Sequence, residues 1–417
     1  MRTYRWVFLA ALIAFSLANF PILGRAATYC RFAAQAILVP ATIVMTVRLR
    51  TSVPRSVLAA MYIFATWAFV TSFWSENTEL TVLKWAVVMT LWMAVFVGGF
   101  LVGRIDRNPF HLLGFILVPV VLSSVVSLGR GDGYSGGFFR GYSGNSNTLG
   151  AVIAFTFPWL VFELRSCWRI LARRTAFLMM SLAAMVIIVE SRSRASLAAL
   201  VIISCSSLQA LNLGRKAVAI YVFLALLLGV YVVKPGVLLQ TFYGDIVLKR
   251  SESAMNSRAG QMKTSYEKAK EGGVLGAGFG VSIGASQYWH LENFSNYSRE
   301  KGNSVLAVVE ETGLIGGVLY ILLLGTAFGY IRTYGRNAQG EHLFVYLLSL
   351  GFFAGALFNS MFEAWILSSG PDTVVFWAVV GMSCGALNQY VERRNVEFAS
   401  AQASTGALGA RAALVSR

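Results

Sequence analysis

Residues 302–324 read GNSVLAVVEETGLIGGVLYILLL, a polar entry followed by a short apolar stretch, two adjacent carboxylates and a long apolar run. The run that follows Gly313 carries no charged residue before Arg332. A helix needs about 20 apolar residues to cross a bilayer, and this run approaches that length. The stretch therefore predicts a membrane-spanning helix that is preceded by a polar segment at the membrane surface.

Similar apolar runs recur along the whole chain. Of its 417 residues, 56% are hydrophobic and 13% are charged, and the mean hydropathy is +0.63. A water-soluble domain cannot bury that much apolar surface in its core. The runs also lack the alternation of apolar and polar residues that is typical of a transmembrane barrel. The predicted fold class is therefore all-α, a polytopic integral membrane protein.

The apolar runs predict about twelve transmembrane helices. We expect the first run to be retained, because it is long and no small-residue cleavage site follows it. The predicted spans are 5–24, 30–48, 55–74, 80–102, 109–128, 147–164, 175–190, 194–213, 216–233, 314–331, 342–362 and 371–390. The predicted organisation is helices 1–9 in 1–233, a long extracytoplasmic loop with short helices and the catalytic region in 234–313, helices 10–12 in 314–392, and a disordered cytoplasmic tail in 393–417.

The distribution of arginine and lysine predicts that both termini face the cytoplasm. Alternate loops carry Arg48, Arg50 and Arg55; Arg104 and Arg107; Arg165, Arg169, Arg173 and Arg174; Arg215 and Lys216; Arg332 and Arg336; and Arg393 and Arg394. The net charge of +16 then reflects topology and contact with anionic membrane lipid, so no nucleic acid partner is predicted. The four cysteines show no CxxC spacing, which favours small buried hydrophobes over metal ligands or disulfides.

Other basic residues fall on the opposite side, and most of them read as solvated loop surface. Arg192 and Arg194 differ, because they lie in the short link ESRSRAS between two apolar runs. One interpretation pairs Glu190 with Arg194 at i,i+4. The other is an anion site, because guanidinium groups bind phosphate oxygens in a bidentate way.

The long loop contains a predicted polar helix over 259–270 and then GVLGAGFGVSIG at 273–284. No strand precedes these glycines, so they do not form a dinucleotide-binding loop, and they predict flexible, close-packed turns at the membrane surface. Glu310 and Glu311 begin the next span. They are interpreted either as solvated groups at a helix end or as the lining of a polar cleft that faces the loop.

Several short motifs occur in a characteristic order over residues 55–390. They are Phe73-Trp74-Ser75-Glu76; YSGNSNTLG at 142–150; Ser193-Arg194-Ala195-Ser196; Arg258; Gly276-Ala277-Gly278-Phe279-Gly280; and Asn303-Ser304-Val305-Leu306 followed by Glu310, Gly313, Leu314, Ile315 and Gly316. This combination resembles the O-antigen ligase and polymerase superfamily, bacterial membrane glycosyltransferases of the GT-C type.

The resemblance implies transfer of a glycan from a polyprenyl diphosphate carrier to an acceptor hydroxyl, at the periplasmic face of the bacterial inner membrane. The charge on a diphosphate leaving group must be neutralised. Because the outer loops hold no Asp-x-Asp pair, we predict guanidinium groups in this role and neither metal nor cofactor. The predicted diphosphate- or acceptor-binding residues are Arg258, Arg194, Arg192, Arg140 and Asn303, and the candidate catalytic bases are His290, Glu310 and Glu311.

One position departs from the family pattern. The ligases carry a histidine before the asparagine of the last motif, and this chain has Gly302 there. We therefore favour a polymerase that joins lipid-linked repeat units over a ligase that transfers glycan to lipid A–core. A third reading is a transporter or flippase for a lipid-linked sugar. Transporters place binding groups near the bilayer midplane in related halves, whereas the polar groups here gather at one face.

Overall fold

The computed structural model describes residues 2–17, 24–49, 53–106, 109–135, 137–141, 143–208, 256–283 and 301–415, and these are largely helical. We number the helices in chain order. They are α1 (Arg2–Leu17), α2 (Gly24–Leu49), α3 (Arg55–Val70), α4 (Thr78–Gly103), α5 (Gly114–Arg130), α6 (Ser146–Ser166), α7 (Leu171–Ser191), α8 (Arg194–Leu208), α9 (Asn256–Gly272), α10 (Ser304–Gly335), α11 (Gly340–Ser360) and α12 (Pro371–Val415).

Nine helices in the described part of the chain are long and apolar enough to cross a membrane. They confirm the all-α polytopic class, while α1 and α8 contain shorter apolar helices and α9 is polar. The predicted span 216–233 and much of the predicted loop lie outside the described residues. The count of twelve and the division of the chain into domains therefore stay predictions.

The bundle has two chemically different ends. At the end where α4 and α6 finish, which we call the basic end, Arg104 pairs with Glu392 of α12 at 2.5 Å. Arg165 donates there to the carbonyl of Gly340, at the start of α11, over 3.5 Å. The opposite end, where α4, α6, α10 and α12 begin, holds residues 272–283 and 301–303, and we call it the loop end. Among the described connections, those after α4, α6 and α10 lie at the basic end, and those after α5, α7 and α11 lie at the loop end.

A half-buried charge cluster holds α1 at the basic end. Arg5 lies 3.2 Å from the Asp106 carboxylate in the connection between α4 and α5, and His111 lies 3.6 Å from the other oxygen. Burial raises the pKa of Asp106, and the positive charges of His111 and Arg5 oppose that rise. The cluster therefore compensates a carboxylate that would otherwise be costly to bury.

Small residues let α4 and α12 approach each other closely. Gly99 and Gly103 lie one turn apart on α4 and face Ala378 and Met382, and Gly381 and Gly385 on α12 face the α4 backbone in return. Membrane helices associate without a hydrophobic driving force, so packing at small-residue faces supplies much of the attraction. This pair forms the rigid spine of the bundle.

Aromatic rings fill the space beside this spine. Trp92 of α4 stacks with Phe64 of α3 at 6.2 Å and contacts Trp377 of α12 at 5.6 Å. Nearer the loop end, Trp365 packs between Phe155 and Phe376, with centroid distances of 5.3 and 5.6 Å. Such buried rings have few rotamers, so they give the loop end a firm base.

A short hairpin follows α5 at the loop end. Strands β1 (Tyr134–Ser135) and β2 (Phe138–Phe139) pair antiparallel. The Tyr134 hydroxyl donates to Glu190 at the end of α7 over 3.2 Å, and burial together with this carboxylate raises the pKa of Tyr134. The hairpin thus joins α5 to the end of α7.

The C-terminal segment differs from its prediction. Its small residues predict a disordered tail over 393–417, but α12 continues as far as Val415. The reason is its alanine content, because alanine has the highest helix propensity of all residues.

We expect Gly385→Ala to destabilise the protein by about 1–3 kcal/mol, because an added Cβ would overlap the carbonyl oxygen of Phe100 on α4. Thermal unfolding in detergent measures the change. Gly325→Ala in α10 is the matched control, since nothing lies within 4 Å of the added atom. Equal melting temperatures for the two variants would contradict close packing of α4 on α12.

Candidate functional site

The site is built around a break in α10. Gly313 has φ 73° and ψ 179°, a conformation open mainly to glycine, so residues 304–312 form a short half-helix before the long one. Such a break leaves backbone carbonyl groups without helical partners on one side and N–H groups on the other. Each backbone group without a hydrogen-bond partner inside the membrane costs on the order of several kcal/mol. The N–H and carbonyl groups at the break therefore need other partners.

The glycine-rich segment 273–280 supplies these partners. Ala277 and Gly278 donate their N–H groups to the carbonyls of Glu310 and Glu311, each at 3.0 Å. On the other side of the break, Leu314 donates to the carbonyl of Gly273 at 3.0 Å. The segment is thus an ordered backbone plug for the break, where the sequence predicts flexible turns.

Helix α3 and the turn after it hold this plug in place. Trp67 donates its indole N–H to the carbonyl of Thr312 at 2.8 Å, and Trp74 donates to Gly276 at 3.1 Å. The Thr71 hydroxyl accepts from the N–H of Phe279 at 2.9 Å. Trp74, from the Phe73-Trp74-Ser75-Glu76 motif, therefore helps to hold the plug in place.

A buried ion cluster lies beside the break. The Lys301 ammonium is 2.5 Å from Glu311 and 3.4 Å from Glu310, and all three side chains are buried. Glu311 accepts a further hydrogen bond from the N–H of Gly280 at 2.8 Å, and Glu310 accepts one from Ile283 at 3.1 Å. One lysine and two backbone donors therefore compensate two carboxylates.

A cavity of about 530 Å³ opens at the loop end next to this cluster. Lys84 of α4 reaches its wall and donates to the carbonyl of Gly280 over 2.9 Å. The cavity is mixed in character. Its charged lining residues are Arg31, Lys84, Lys301, Glu311, Glu363 and Asp372, and its polar and apolar lining includes Asn145, Asn147, Thr148, Asn359, Val87, Val88, Ile366 and Leu367.

Two of the three predicted catalytic bases fall in this region. Glu311 lines the cavity, whereas Glu310 is completely buried behind it and is held by Lys301 and Ile283. Asn303 caps α10, because its side-chain oxygen accepts from Leu306 at 3.0 Å and its amide donates to Met361 at 2.9 Å. His290 lies outside the described residues.

Three of the predicted arginines, Arg140, Arg192 and Arg194, are not among the described residues that line the cavity. Arg140 follows the hairpin and donates to Gly144 at 3.4 Å. Arg192 ends α7 with φ 52° and lies 5.8 Å from the Phe138 ring, and Arg194 begins α8. The backbone of Arg258 belongs to α9, while its side chain lies outside the described part.

The serines beside these arginines are closer to the cavity. Ser193 donates to Ser196 at 2.7 Å, and Ser196 accepts from the Asn359 amide at 3.3 Å. Asn359 lines the cavity and accepts from the Trp365 indole at 2.9 Å. The Ser-Arg-x-Ser motif therefore orients an asparagine of the cavity wall through its hydroxyl groups.

Gly302, which the sequence singles out before Asn303, lies against α9. Its N–H donates to Ser265 of α9 at 3.1 Å, and an added Cβ would lie 3.2 Å from the Cβ of Gln261. Helix α9 therefore packs directly against the entry to α10. A side chain at this position would require Gln261 to shift by a few tenths of an ångström.

Arg31, Lys84 and Asp372 were not identified as cavity residues from the sequence. Each lies near the start of a long apolar run, where a charged residue is usually interpreted as flanking the transmembrane helix. A usable signal was available, since an ionisable residue inside a predicted span is by default a candidate functional group.

No model of a known protein family matches the chain, and no curated protein matches it. The resemblance to the ligase and polymerase superfamily therefore stays a prediction from the short motifs.

We expect Lys301→Met to destabilise the protein by about 3–5 kcal/mol, because it leaves two buried carboxylates without their shared counter-charge. Thermal unfolding in detergent measures the loss. Adding Glu310→Gln and Glu311→Gln to Lys301→Met removes the stranded charges, so the triple variant should recover much of the stability. A triple variant less stable than Lys301→Met would show that the cluster is not held by charge compensation.

Proposed function

We propose that this protein is a membrane glycosyltransferase that polymerises glycan repeat units from a polyprenyl diphosphate carrier. The observation that carries the proposal is the cavity at the loop end, whose lining includes the cationic side chains of Arg31, Lys84 and Lys301 together with carboxylate and amide groups. The order of the short motifs supports the same reaction class. The substrates would be a lipid-linked glycan donor and a glycan acceptor at the bacterial inner membrane.

The cationic side chains suit a diphosphate leaving group. When the sugar leaves its carrier, negative charge grows on the diphosphate oxygens, and fixed cations near those oxygens lower the barrier. Lys84 is held by the carbonyl of Gly280, so its ammonium is positioned before the substrate arrives. The amide groups of Asn145, Asn147 and Asn359 suit the hydroxyl groups of a glycan.

The cavity also suits a lipid-anchored substrate. Its lining includes Val87, Val88 and Ala151 from the membrane-spanning helices α4 and α6, and these side chains offer apolar surface to a polyprenyl chain. The donor would then keep its tail in the bilayer while its diphosphate reaches the charged wall. The arginines at the basic end support an orientation with the loop end toward the periplasm and both termini in the cytoplasm.

The gene-deletion phenotype separates the three functions that the sequence leaves open. Loss of a polymerase leaves acceptors that carry single repeat units, and this is the expected result. Full-length glycan retained on the lipid carrier would instead identify an O-antigen ligase. Purified protein in detergent, supplied with lipid-linked repeat units, should lengthen them without a membrane gradient. If the purified protein moves lipid-linked sugar across a vesicle membrane but forms no glycosidic bond, it is a transporter, and the proposal is overturned.

We expect Lys84→Met to lower the rate of glycan transfer about 100-fold, because it removes one preorganised cation from the diphosphate site. Lys84→Arg keeps the charge and should retain part of the rate. The control is Lys268→Met in α9, whose ammonium pairs with Glu271 at 2.6 Å away from the cavity. The measurement is the initial rate of chain lengthening in detergent. Unchanged transfer by a folded Lys84→Met protein would remove Lys84 from the site.

A further inference from the structure

Two charged residues of the cavity wall are buried, and each has a polar atom without a hydrogen-bond partner in the described part of the chain. Asp372, in the first turn of α12, is 8% exposed, and Arg31 of α2 is 9% exposed. The Asp372 Oδ1 and the Arg31 Nε have no hydrogen-bond partner in the described part of the chain. Nor does either side chain form an ion pair among the described residues, although both line the same cavity.

Uncompensated burial is costly, and the neighbouring cluster shows how this protein otherwise avoids it. Burying a charge without a partner is strongly destabilising, because the charge loses its hydration and gains no interaction in return. Lys301, Glu310 and Glu311 have a complete set of partners within the protein. A carboxylate and a guanidinium that share a cavity but do not pair are suited to a ligand that supplies both a hydroxyl donor and an anion.

We propose that Asp372 is the catalytic base for the acceptor hydroxyl and that Arg31 binds the diphosphate of the donor. This inference rests on the proposed function and assigns two roles within it that the sequence predictions gave to other residues. The substrate class follows from the pair: a glycan hydroxyl donates to Asp372, and phosphate oxygens accept from Arg31.

The reaction balances with these two groups. The acceptor oxygen attacks the anomeric carbon of the donor sugar and forms the new glycosidic bond. The bond between that carbon and the diphosphate oxygen breaks, and its electron pair stays on the diphosphate, which Arg31 binds. The hydroxyl proton passes to the carboxylate of Asp372 and is released to water when the product leaves.

The other carboxylates near the cavity are less suited to the role of base. Both oxygens of Glu311 are occupied, one by Lys301 at 2.5 Å and the other by the N–H of Gly280 at 2.8 Å. Glu310 is completely buried and does not line the cavity. Glu363 lines the cavity but is more exposed than Asp372, so water competes for its carboxylate.

The test separates chemistry from binding in the full-length protein. Transfer is measured with lipid-linked repeat units, and binding is measured with polyprenyl diphosphate alone in nanodiscs. Asp372→Asn should lower transfer about 1,000-fold and leave the affinity for polyprenyl diphosphate within about twofold. Arg31→Gln should weaken that affinity about tenfold or more, whereas Arg31→Lys should retain most of it.

Two matched controls lie at the same end of the bundle. Asp132→Asn and Arg130→Gln change exposed residues outside the cavity and should leave both measurements unchanged. Asp372→Glu keeps the carboxylate and should recover part of the transfer. A loss of folding in both Asp372 variants, seen in thermal unfolding, would assign this residue a structural role and overturn the proposal.

The outcomes also distinguish this inference from the function on which it rests. Wild-type protein that neither binds polyprenyl diphosphate nor transfers glycan would overturn the proposed function. Active wild-type protein whose Asp372→Asn variant keeps more than about a tenth of the rate would overturn the role of Asp372 alone. Unchanged affinity in Arg31→Gln would in the same way overturn the role of Arg31.

Discussion

The need to satisfy backbone groups at a broken membrane helix governs the loop end of this protein. The break at Gly313 exposes carbonyls that a continuous helix would have paired. Residues 273–280 and Trp67 provide the missing partners. Because the plug lies against the break, Gly280 donates its N–H to Glu311 and accepts from the Lys84 ammonium. The second contact holds the Lys84 ammonium at the cavity wall. The position of the charged groups thus follows from backbone hydrogen bonding.

The charges at this end fall into two groups with different energetics. Lys301, Glu310 and Glu311 compensate one another, and the cluster stabilises the entry to α10. Arg31 and Asp372 are also buried, but the described part of the protein gives them no such compensation. The first group is suited to holding structure and the second to meeting a substrate, because a ligand gains most from groups that water and protein have left unpaired.

The sequence predicts the membrane class well and the site only in part. Apolar runs define helices because the bilayer imposes their length, so spans such as 80–102 and 371–390 correspond to α4 and α12. The sequence identified Glu310 and Glu311 as candidate bases but did not predict their ion pairs with Lys301. Those ion pairs depend on how the loop folds back against the break, and no local sequence pattern indicates this. Arg192 and Arg194 read as anion ligands from their type, whereas the neighbouring serines are the residues that support the cavity wall.

The chain order of the contacts around Gly313 gives the protein a sequence of assembly. Every described partner of the break, namely Trp67, residues 273–280, Ile283 and Lys301, precedes the half-helix in the chain. These partners are therefore synthesised before Glu310 and Glu311, and the counter-charge Lys301 precedes both carboxylates in the chain. Asp372 belongs to the last helix and is synthesised more than fifty residues later. The spine of α4 and α12 and the cavity wall that carries Asp372 depend on the same helix, so a chain that has not yet reached α12 lacks both.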